Sequence, residues 1–327
     1  MSRRRINVAL LTLSTVMAAG LFPLAAFLWV RAGERAFAIS IFLLGLSLGP
    51  CLALYAIVPR RRKQMARRFV LFTGGLSILA FAVLGAVNLD LEGFFMLLML
   101  GTAGAAIGHT LVTVILGPVV LGRFLCGWAC WRAMILEVLP MGRGSGRRGG
   151  VWNVLPVFGL ALSIAAAAGA IFLCGDRPGG TPAAMHSGSV QGILIGVAVY
   201  YGASILIAFA MRDQRAFCKY LCPSGVILGL TSRFAIFKMT SDVRLCNGCG
   251  ACSKVCPMDI DVARFAVLGA RVRSGQCILC QRCAHACPTD ALRLAGGFDV
   301  AGRTPFLKVN GAGWEKREVR TSCWPIT

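Results

Sequence analysis

Charge is scarce in this sequence, and negative charge is scarcer still. Of 327 residues only 14% are charged, with 13 Asp and Glu against 34 Lys and Arg, and only three are histidine. A soluble globular domain carries about 25% charged residues, so the composition excludes an ordinary soluble enzyme. The 57% of hydrophobic residues also excludes a disordered chain. The net charge of +21 does not indicate a nucleic-acid partner, because an integral membrane protein concentrates basic residues in its cytoplasmic loops.

Long stretches free of Asp, Glu, Lys and Arg are the most prominent feature of the chain. A transmembrane helix needs about 20 mostly apolar residues, and six such stretches are long enough: Ile6–Val30, Ala36–Val58, Phe69–Val87, Gly93–Gly122, Val151–Gly175 and Ser187–Met211. The sequence therefore predicts six transmembrane helices. In the fourth, Gly101, Gly104 and Gly108 are spaced as small residues are where helices approach closely.

The basic residues between these stretches are very unevenly distributed. With the N-terminus inside, the cytoplasmic segments hold twenty Lys and Arg, whereas the opposite loops hold only Arg31, Arg35 and Arg177. The positive-inside rule then predicts a multi-pass protein of the cytoplasmic membrane with both termini in the cytoplasm. Arg3, Arg4 and Arg5 resemble the start of a signal peptide, but the 25-residue apolar run exceeds the ~7–15 residues of a signal. We expect an uncleaved first helix.

Eight cysteines near the C-terminus form two identical motifs of the pattern C-x₂-C-x₂-C-x₃-C-P. The first runs from Cys246 to Pro257 and the second from Cys277 to Pro288. In ferredoxins with two clusters, the fourth cysteine of each motif ligates the other cluster. This predicts two [4Fe–4S] clusters, one held by Cys246, Cys249, Cys252 and Cys287, and the other by Cys277, Cys280, Cys283 and Cys256.

Disulfides and zinc are the alternatives for these eight cysteines. Disulfides would be reduced in the cytoplasm, and structural zinc uses two pairs of ligands for each ion rather than two quartets that end in Cys-Pro. The segment is too short for a large core, so we expect the clusters themselves to stabilise a small α+β domain. Such a domain transfers single electrons.

Two further cysteine pairs of the form C-x₃-C follow the fourth and sixth apolar stretches. They are Cys126 with Cys130, and Cys218 with Cys222. If each pair is helical, its two thiols share one helix face. Four thiols at one depth could form a third metal centre, because soft thiolates select iron–sulfur clusters, Cu(I) or Zn(II). The alternative is reduced or redox-active thiols at packed helix ends.

In these motifs the chain resembles the membrane-anchored polyferredoxins typified by the quinol-dehydrogenase subunit of periplasmic nitrate reductase. Members of this family also occur beside nitrous-oxide reductase, in methylamine utilisation and in cytochrome-oxidase assembly. The shared order, two C-x₃-C motifs separated by two spans and then two ferredoxin motifs, covers roughly residues 69–294. Two departures are that Trp131 replaces the proline usual after the first pair, and that two additional spans precede the shared region.

The resemblance implies that the chain oxidises membrane quinol and passes electrons to a partner redox protein. Such a site needs a proton acceptor, and the candidates are His186, Asp176, Glu92 and the mid-span His109. With three histidines and no two at one depth, bis-histidine haem is not expected. The alternative function is a maturation factor that supplies electrons, or reduces a metal, while another enzyme's cofactor is assembled.

The sequence thus predicts a mainly α membrane protein: six transmembrane helices followed by a small α+β ferredoxin domain of the bacterial 2[4Fe–4S] type. We expect a two-helix segment at residues 1–62 and a four-helix domain with both C-x₃-C motifs at residues 63–240. The ferredoxin domain follows at residues 241–295, and a tail occupies residues 296–327.

Overall fold

The computed structural model describes residues 3–31, 35–85, 87–101, 105–142, 146–174 and 190–297. Five helices in these ranges are long and apolar enough to cross a membrane. A sixth span is present if two helices, Ile107–Leu121 and Phe124–Leu136, which meet at a bend of 95°, count as one. The prediction of a multi-spanning helical protein is therefore confirmed.

The first three spans form one packed unit. Helix α1 (Arg3–Val30) packs against α2 (Arg35–Leu46), which continues through a π-helical turn (Ser47–Cys51) into α3 (Leu52–Ile57). Pro50 lies in that turn, where its missing N–H interrupts the helical hydrogen bonds. A 3₁₀ turn (Arg60–Arg62) leads into α4 (Lys63–Leu84), which packs on α2. Basic residues thus mark the end of the second span.

The fourth apolar stretch is not one helix, which corrects the prediction for residues 93–122. Helix α5 (Leu91–Leu100) ends at Gly101, whose φ of +68° is left-handed and is easily adopted only by glycine. The chain resumes in α6 (Ala105–Thr110), a π-helical stretch (Leu111–Leu116) and α7 (Gly117–Leu121). Gly101 is therefore a break in this stretch. A Cβ on Gly101 or on Gly108 would meet no described atom within 4 Å, and Gly104 lies outside the described residues.

Two short helices follow this stretch, α8 (Phe124–Trp128) and α9 (Trp131–Leu136). The long helices α10 (Leu155–Cys174) and α11 (Val190–Met211) come next, and the short helices α12 (Ala216–Tyr220) and α13 (Ser224–Thr231) follow them. Two 3₁₀ turns, Gly150–Asn153 and Ser232–Phe234, precede α10 and follow α13. Helix α9 packs on both α4 and α11, so it turns back against the spanning helices.

The C-terminal domain is a small sheet with three short helices. Strand β1 (Phe237–Ser241) pairs antiparallel with β2 (Leu292–Gly296), with Phe237 opposite Gly296 and Ser241 opposite Leu292. Between them lie α14 (Ala251–Lys254), α15 (Val262–Val267) and α16 (Arg282–Ala286). The predicted α+β domain is confirmed, and its first strand includes residues before position 241.

Candidate functional site

Two cavities in the C-terminal domain are each lined by one of the predicted cysteine quartets. Each quartet takes three cysteines from one motif and the fourth from the other, as the ferredoxin pattern requires. One cavity is lined by Cys246, Cys249, Cys252 and Cys287, and the other by Cys256, Cys277, Cys280 and Cys283. Met239, Ile260 and Val272 also line the second cavity, so that quartet lies in an apolar environment.

The two motifs repeat one backbone conformation. Left-handed residues occur at matching places, Gly248 and Gly250 in the first motif and Leu279 and Gln281 in the second, with φ between 50° and 73°. Glycine adopts this conformation without strain, whereas leucine does so at a cost of about 1–3 kcal/mol. The strained residues of the second motif both have partners on the membrane helices. The indole Nε1 of Trp128 donates to the carbonyl of Leu279 at 3.1 Å, and the hydroxyl of Tyr55 donates to Gln281 at 3.2 Å.

Burial makes these thiols poor acids on their own. It raises the pKa of Cys252 to about 11 and that of Cys277 to about 12, and it raises that of Cys283 well above its ordinary value. The pKa of Cys287 is lowered instead, because hydrogen bonds from Thr289 and from backbone amides outweigh its partial burial. The buried thiolates therefore need a cationic partner at neutral pH, and bound iron provides one.

The spacing of the thiols favours a cluster over a single ion. Among the described residues, no three Cys, His, Asp or Glu side chains come close enough to hold one metal ion. A [4Fe–4S] cluster takes four thiolates, each on a different iron, so its ligands lie farther apart. The donor set and the two cavities therefore fit iron–sulfur clusters better than zinc.

The four cysteines of the C-x₃-C pairs lie where the membrane helices meet the ferredoxin domain. Cys126 and Cys218 pack against the apolar core of the ferredoxin domain, which contains cysteines of both quartets. The guanidinium of Arg215 joins the two pairs, since its Nη1 lies 3.0 Å from the carbonyl oxygen of Cys126 and 3.9 Å from Sγ of Cys218. All four are free thiols in the described part of the chain, and Cys126 and Cys218 each lie close enough to Cys130 and to Cys222 to act on them electrostatically.

Neither pair lies on one helix face, which corrects the expectation for helical pairs. Helix α8 ends at Trp128, and Cys130 has the extended backbone that precedes α9. In the same way Cys222 follows the end of α12 and precedes α13. Trp131 is the first residue of α9, whereas Pro223 directly precedes α13, so a helix follows the first pair without the proline.

A buried carboxylate holds this junction together. Glu137 follows α9, has a side chain only 2% exposed, and accepts hydrogen bonds from Arg67 of α4 and from Arg215. Arg282 of α16 lies 3.5 Å away. Although burial raises the pKa of this carboxyl, the arginines outweigh it and lower the value to about 2. No sequence signal marked Glu137 beyond its being a rare acidic residue among many basic ones, because its partners come from three separate segments.

The turn between the second and third spans, and the start of the third span, also bind the second motif. Arg60 donates to the carbonyl oxygens of Ala284 and His285, both at 2.7 Å, and to that of Cys287. These carbonyls lie at the end of α16, where a cation is favoured. Ring Nδ1 of His285 lies 2.9 Å from Nε2 of Gln64. His285 therefore connects the domain to the spans.

The remaining candidates from the sequence are not brought together. His186 and Asp176 lie outside the described residues. His109 lies in α6, and its buried Nδ1 has no hydrogen-bond partner in the described structure. Glu92, which lies between the third and fourth predicted spans, contacts the middles of α10 and α11 through Ser163 and Tyr200.

Comparison with known proteins defines the class to which this fold and site correspond. A family described as "4Fe-4S dicluster domain" matches residues 238–288, and one described as "4Fe-4S binding domain" matches residues 102–147 and 195–240. The second matches around both C-x₃-C pairs. These matches support an iron–sulfur protein of the membrane-associated ferredoxin type.

Particular relatives agree with that class. The chain is 26% identical over 204 residues to the methylamine utilization ferredoxin-type protein MauN of Methylorubrum extorquens, covering 59% of this chain and 68% of the relative. It is 35% identical over 74 residues to MauN of Paracoccus denitrificans, covering 22% and 25%. YccM of Escherichia coli K12, provisionally named an electron transport protein, is 32% identical over 94 residues, covering 29% and 25%.

The chain thus aligns with about a quarter of the length of the last two relatives. No solved structure matches.

Proposed function

We propose that this protein carries electrons from a quinol in the lipid phase to a partner redox protein. The observation that carries the proposal is the packing of the first C-x₃-C motif directly on the second ferredoxin motif. A Cβ on Gly127 would lie only 2.3 Å from the carbonyl oxygen of Ile278, and Trp128 donates to Leu279. This contact between a membrane motif and a cluster motif supports a route for electrons from the lipid phase to the ferredoxin domain.

Two cysteine quartets would hold the clusters, and the four C-x₃-C thiols would hold a further iron–sulfur centre. Bound there, these groups supply one-electron transfer. The third assignment rests on the four free thiols, on the two arginines beside Cys218 and Cys222, and on the 4Fe-4S family match to both segments. The arginines can balance the negative charge that four thiolates bring.

The chain's own residues position and shield these sites. Glu137 and its arginines fix α4, α9 and α16 relative to one another. Phe124 stacks on Trp128 with ring centroids 5.2 Å apart, and Tyr55 meets Trp128 edge-on at 4.9 Å. These rings exclude water between the first pair and the second motif, which lowers the local dielectric constant.

The proposed setting is the cytoplasmic membrane, with both termini and the ferredoxin domain in the cytoplasm. Support comes from the apolar helices and from the uneven distribution of basic residues. The proposed partners are membrane lipid, the quinone pool and a redox protein that meets the ferredoxin domain.

The test is reduction of the clusters by quinol. Full-length protein isolated without oxygen and reconstituted in lipid nanodiscs is mixed with a menaquinol or a ubiquinol analogue, and cluster absorbance is followed. We expect at least one quinol to bleach the cluster absorbance as fully as dithionite does. If dithionite bleaches the clusters and neither quinol does, quinol oxidation is refuted, whereas electron transfer by the clusters is not.

A further inference from the structure

A cavity lies between the middles of the spanning helices, separate from the two cluster cavities. Its volume is about 320 Å³, and it is lined by the start of α5, by α10 and α11, and by the second C-x₃-C motif. This volume falls within the range of small-molecule sites. Among its lining residues are Leu162 of α10 and Val199 of α11, which are 56% and 64% exposed. Because both lie on membrane-spanning helices, the cavity opens to lipid.

The cavity contains a carboxylate with one oxygen unused. Oε1 of Glu92 accepts hydrogen bonds from the hydroxyls of Ser163 and Tyr200. Its Oε2 is buried and has no hydrogen-bond partner in the described part of the chain. An ionisable group at this depth is costly and marks a functional site, and a buried acceptor without a donor calls for one from a ligand.

A second carboxylate connects the cavity to the cysteine site. Oδ1 of Asp90 accepts a hydrogen bond from Nη2 of Arg132 at 2.6 Å, and Nη1 of the same arginine lies 4.0 Å from Sγ of Cys222. The guanidinium also lies 3.7 Å from the ring centre of Tyr200. Leu221 and Pro223, the neighbours of Cys222, line the cavity as well. One arginine thus bridges a cavity carboxylate and a proposed cluster ligand.

We propose that this cavity binds the head group of a quinol, with Glu92 and Asp90 as the acceptors of its two hydroxyl protons. The inference rests on the proposed function for its electron acceptors, the iron–sulfur centres. The ligand must enter from lipid, carry two hydroxyl donors and fit apolar walls. A phosphate-bearing head group fits poorly, because the two carboxylates repel it and none of the described residues that line the cavity is a cation.

The reaction balances within this site. Both O–H bonds of the quinol break, and one proton goes to each carboxylate. The two electrons would pass one at a time to the iron–sulfur centres, beginning with the centre proposed at Cys222 and its three companion thiols. The quinone that remains carries no hydroxyl, and both carboxylates must release their protons before the next quinol can be oxidised.

Glycines on α11 provide a matched pair of variants for the test. Gly196 lines the cavity and Gly202 does not, and an added Cβ at either meets no described atom within 4 Å. Gly196→Leu therefore fills the cavity without a backbone clash, and Gly202→Leu adds the same side chain to the same helix elsewhere. Glu92→Gln removes the unused acceptor and keeps the size of the side chain.

Binding is measured on full-length protein in nanodiscs with 2-heptyl-4-hydroxyquinoline N-oxide, a quinol analogue whose fluorescence is quenched when it binds. We expect Gly196→Leu to weaken binding at least tenfold, about 1.4 kcal/mol, and Gly202→Leu to leave it unchanged. Glu92→Gln should slow cluster reduction by quinol about tenfold and leave reduction by dithionite as in the wild type.

The outcomes separate the site from the function. If quinol reduces the wild type and all three variants equally, the site is wrong and the proposed function stands. If quinol reduces neither the wild type nor any variant, but the analogue binds the wild type and no longer binds Gly196→Leu, the site stands and quinol oxidation is wrong. Analogue binding that is absent from the wild type, or equal in the two leucine variants, overturns the inference. The inference is also overturned if quinol no longer reduces the clusters of His109→Gln while it reduces those of Glu92→Gln as in the wild type.

Discussion

Neutralising Glu137 is the sharpest test of how the ferredoxin domain is held on the membrane helices. The carboxylate is 2% exposed and accepts hydrogen bonds from Arg67 and Arg215. Its pKa of about 2, against an ordinary 4.5, corresponds to about 3 kcal/mol in favour of the charged form. Removing one partner of a buried ion pair costs about 3–5 kcal/mol. Glu137→Gln should therefore lose about 3 kcal/mol of stability.

The sign of the pH dependence follows from the lowered pKa. Stability that depends on the carboxylate is fully present above the unfolded-state pKa of about 4.5 and is lost as the pH falls towards 2. The difference between wild type and Glu137→Gln should therefore be constant from pH 8 to about 5.

The assay is thermal unfolding of the full-length protein in nanodiscs without oxygen, with bound iron measured at each temperature. The matched control is Asp290→Asn, which removes a carboxylate that also pairs with an arginine at this junction but is 52% exposed. An exposed pair contributes about 0–1 kcal/mol. Equal melting temperatures and iron retention in the two variants would refute the reasoning.

Two further predictions concern the same junction. Gly127→Ala places a methyl group against the Ile278 carbonyl and should raise protease cleavage between the membrane helices and the ferredoxin domain. Gly202→Ala, which meets no described atom within 4 Å, is its control, and equal cleavage would contradict close packing. Cys222→Ser should lower bound iron from about twelve to about eight atoms per chain, the number for two [4Fe–4S] clusters, whereas about eight in the wild type would exclude the third cluster.

The sequence predicted the features that depend on local spacing. Each cysteine motif fixes its own backbone conformation, so the two crossed quartets could be written from the pattern alone, and the structure places each around one cavity. The apolar helices followed equally directly from composition. The break at Gly101 could not be predicted in this way, because a count of charged residues does not detect a left-handed glycine within an apolar stretch.

The buried charges were beyond the reach of sequence reasoning for a different physical reason. Assigning spans by the absence of charge puts every carboxylate outside the spans, so Asp90 and Glu92 fall between the third and fourth predicted spans. The fold instead satisfies Glu92 with hydroxyls from Ser163 and Tyr200, and Asp90 with a guanidinium from Arg132. Partners at such sequence separations cannot be paired without the tertiary structure.

The contrast between the two ferredoxin motifs gives the proposed electron route a direction in space. The second motif tolerates left-handed Leu279 and Gln281, and Trp128 and Tyr55 bind these residues from the membrane side. The first motif has glycine at both equivalent places and needs no such support. It also presents exposed residues, Leu245 and Asn247, on either side of Cys246. Under the proposed function we expect electrons to enter at the second quartet and leave through the first, and we expect a partner that accepts them to bind around Leu245.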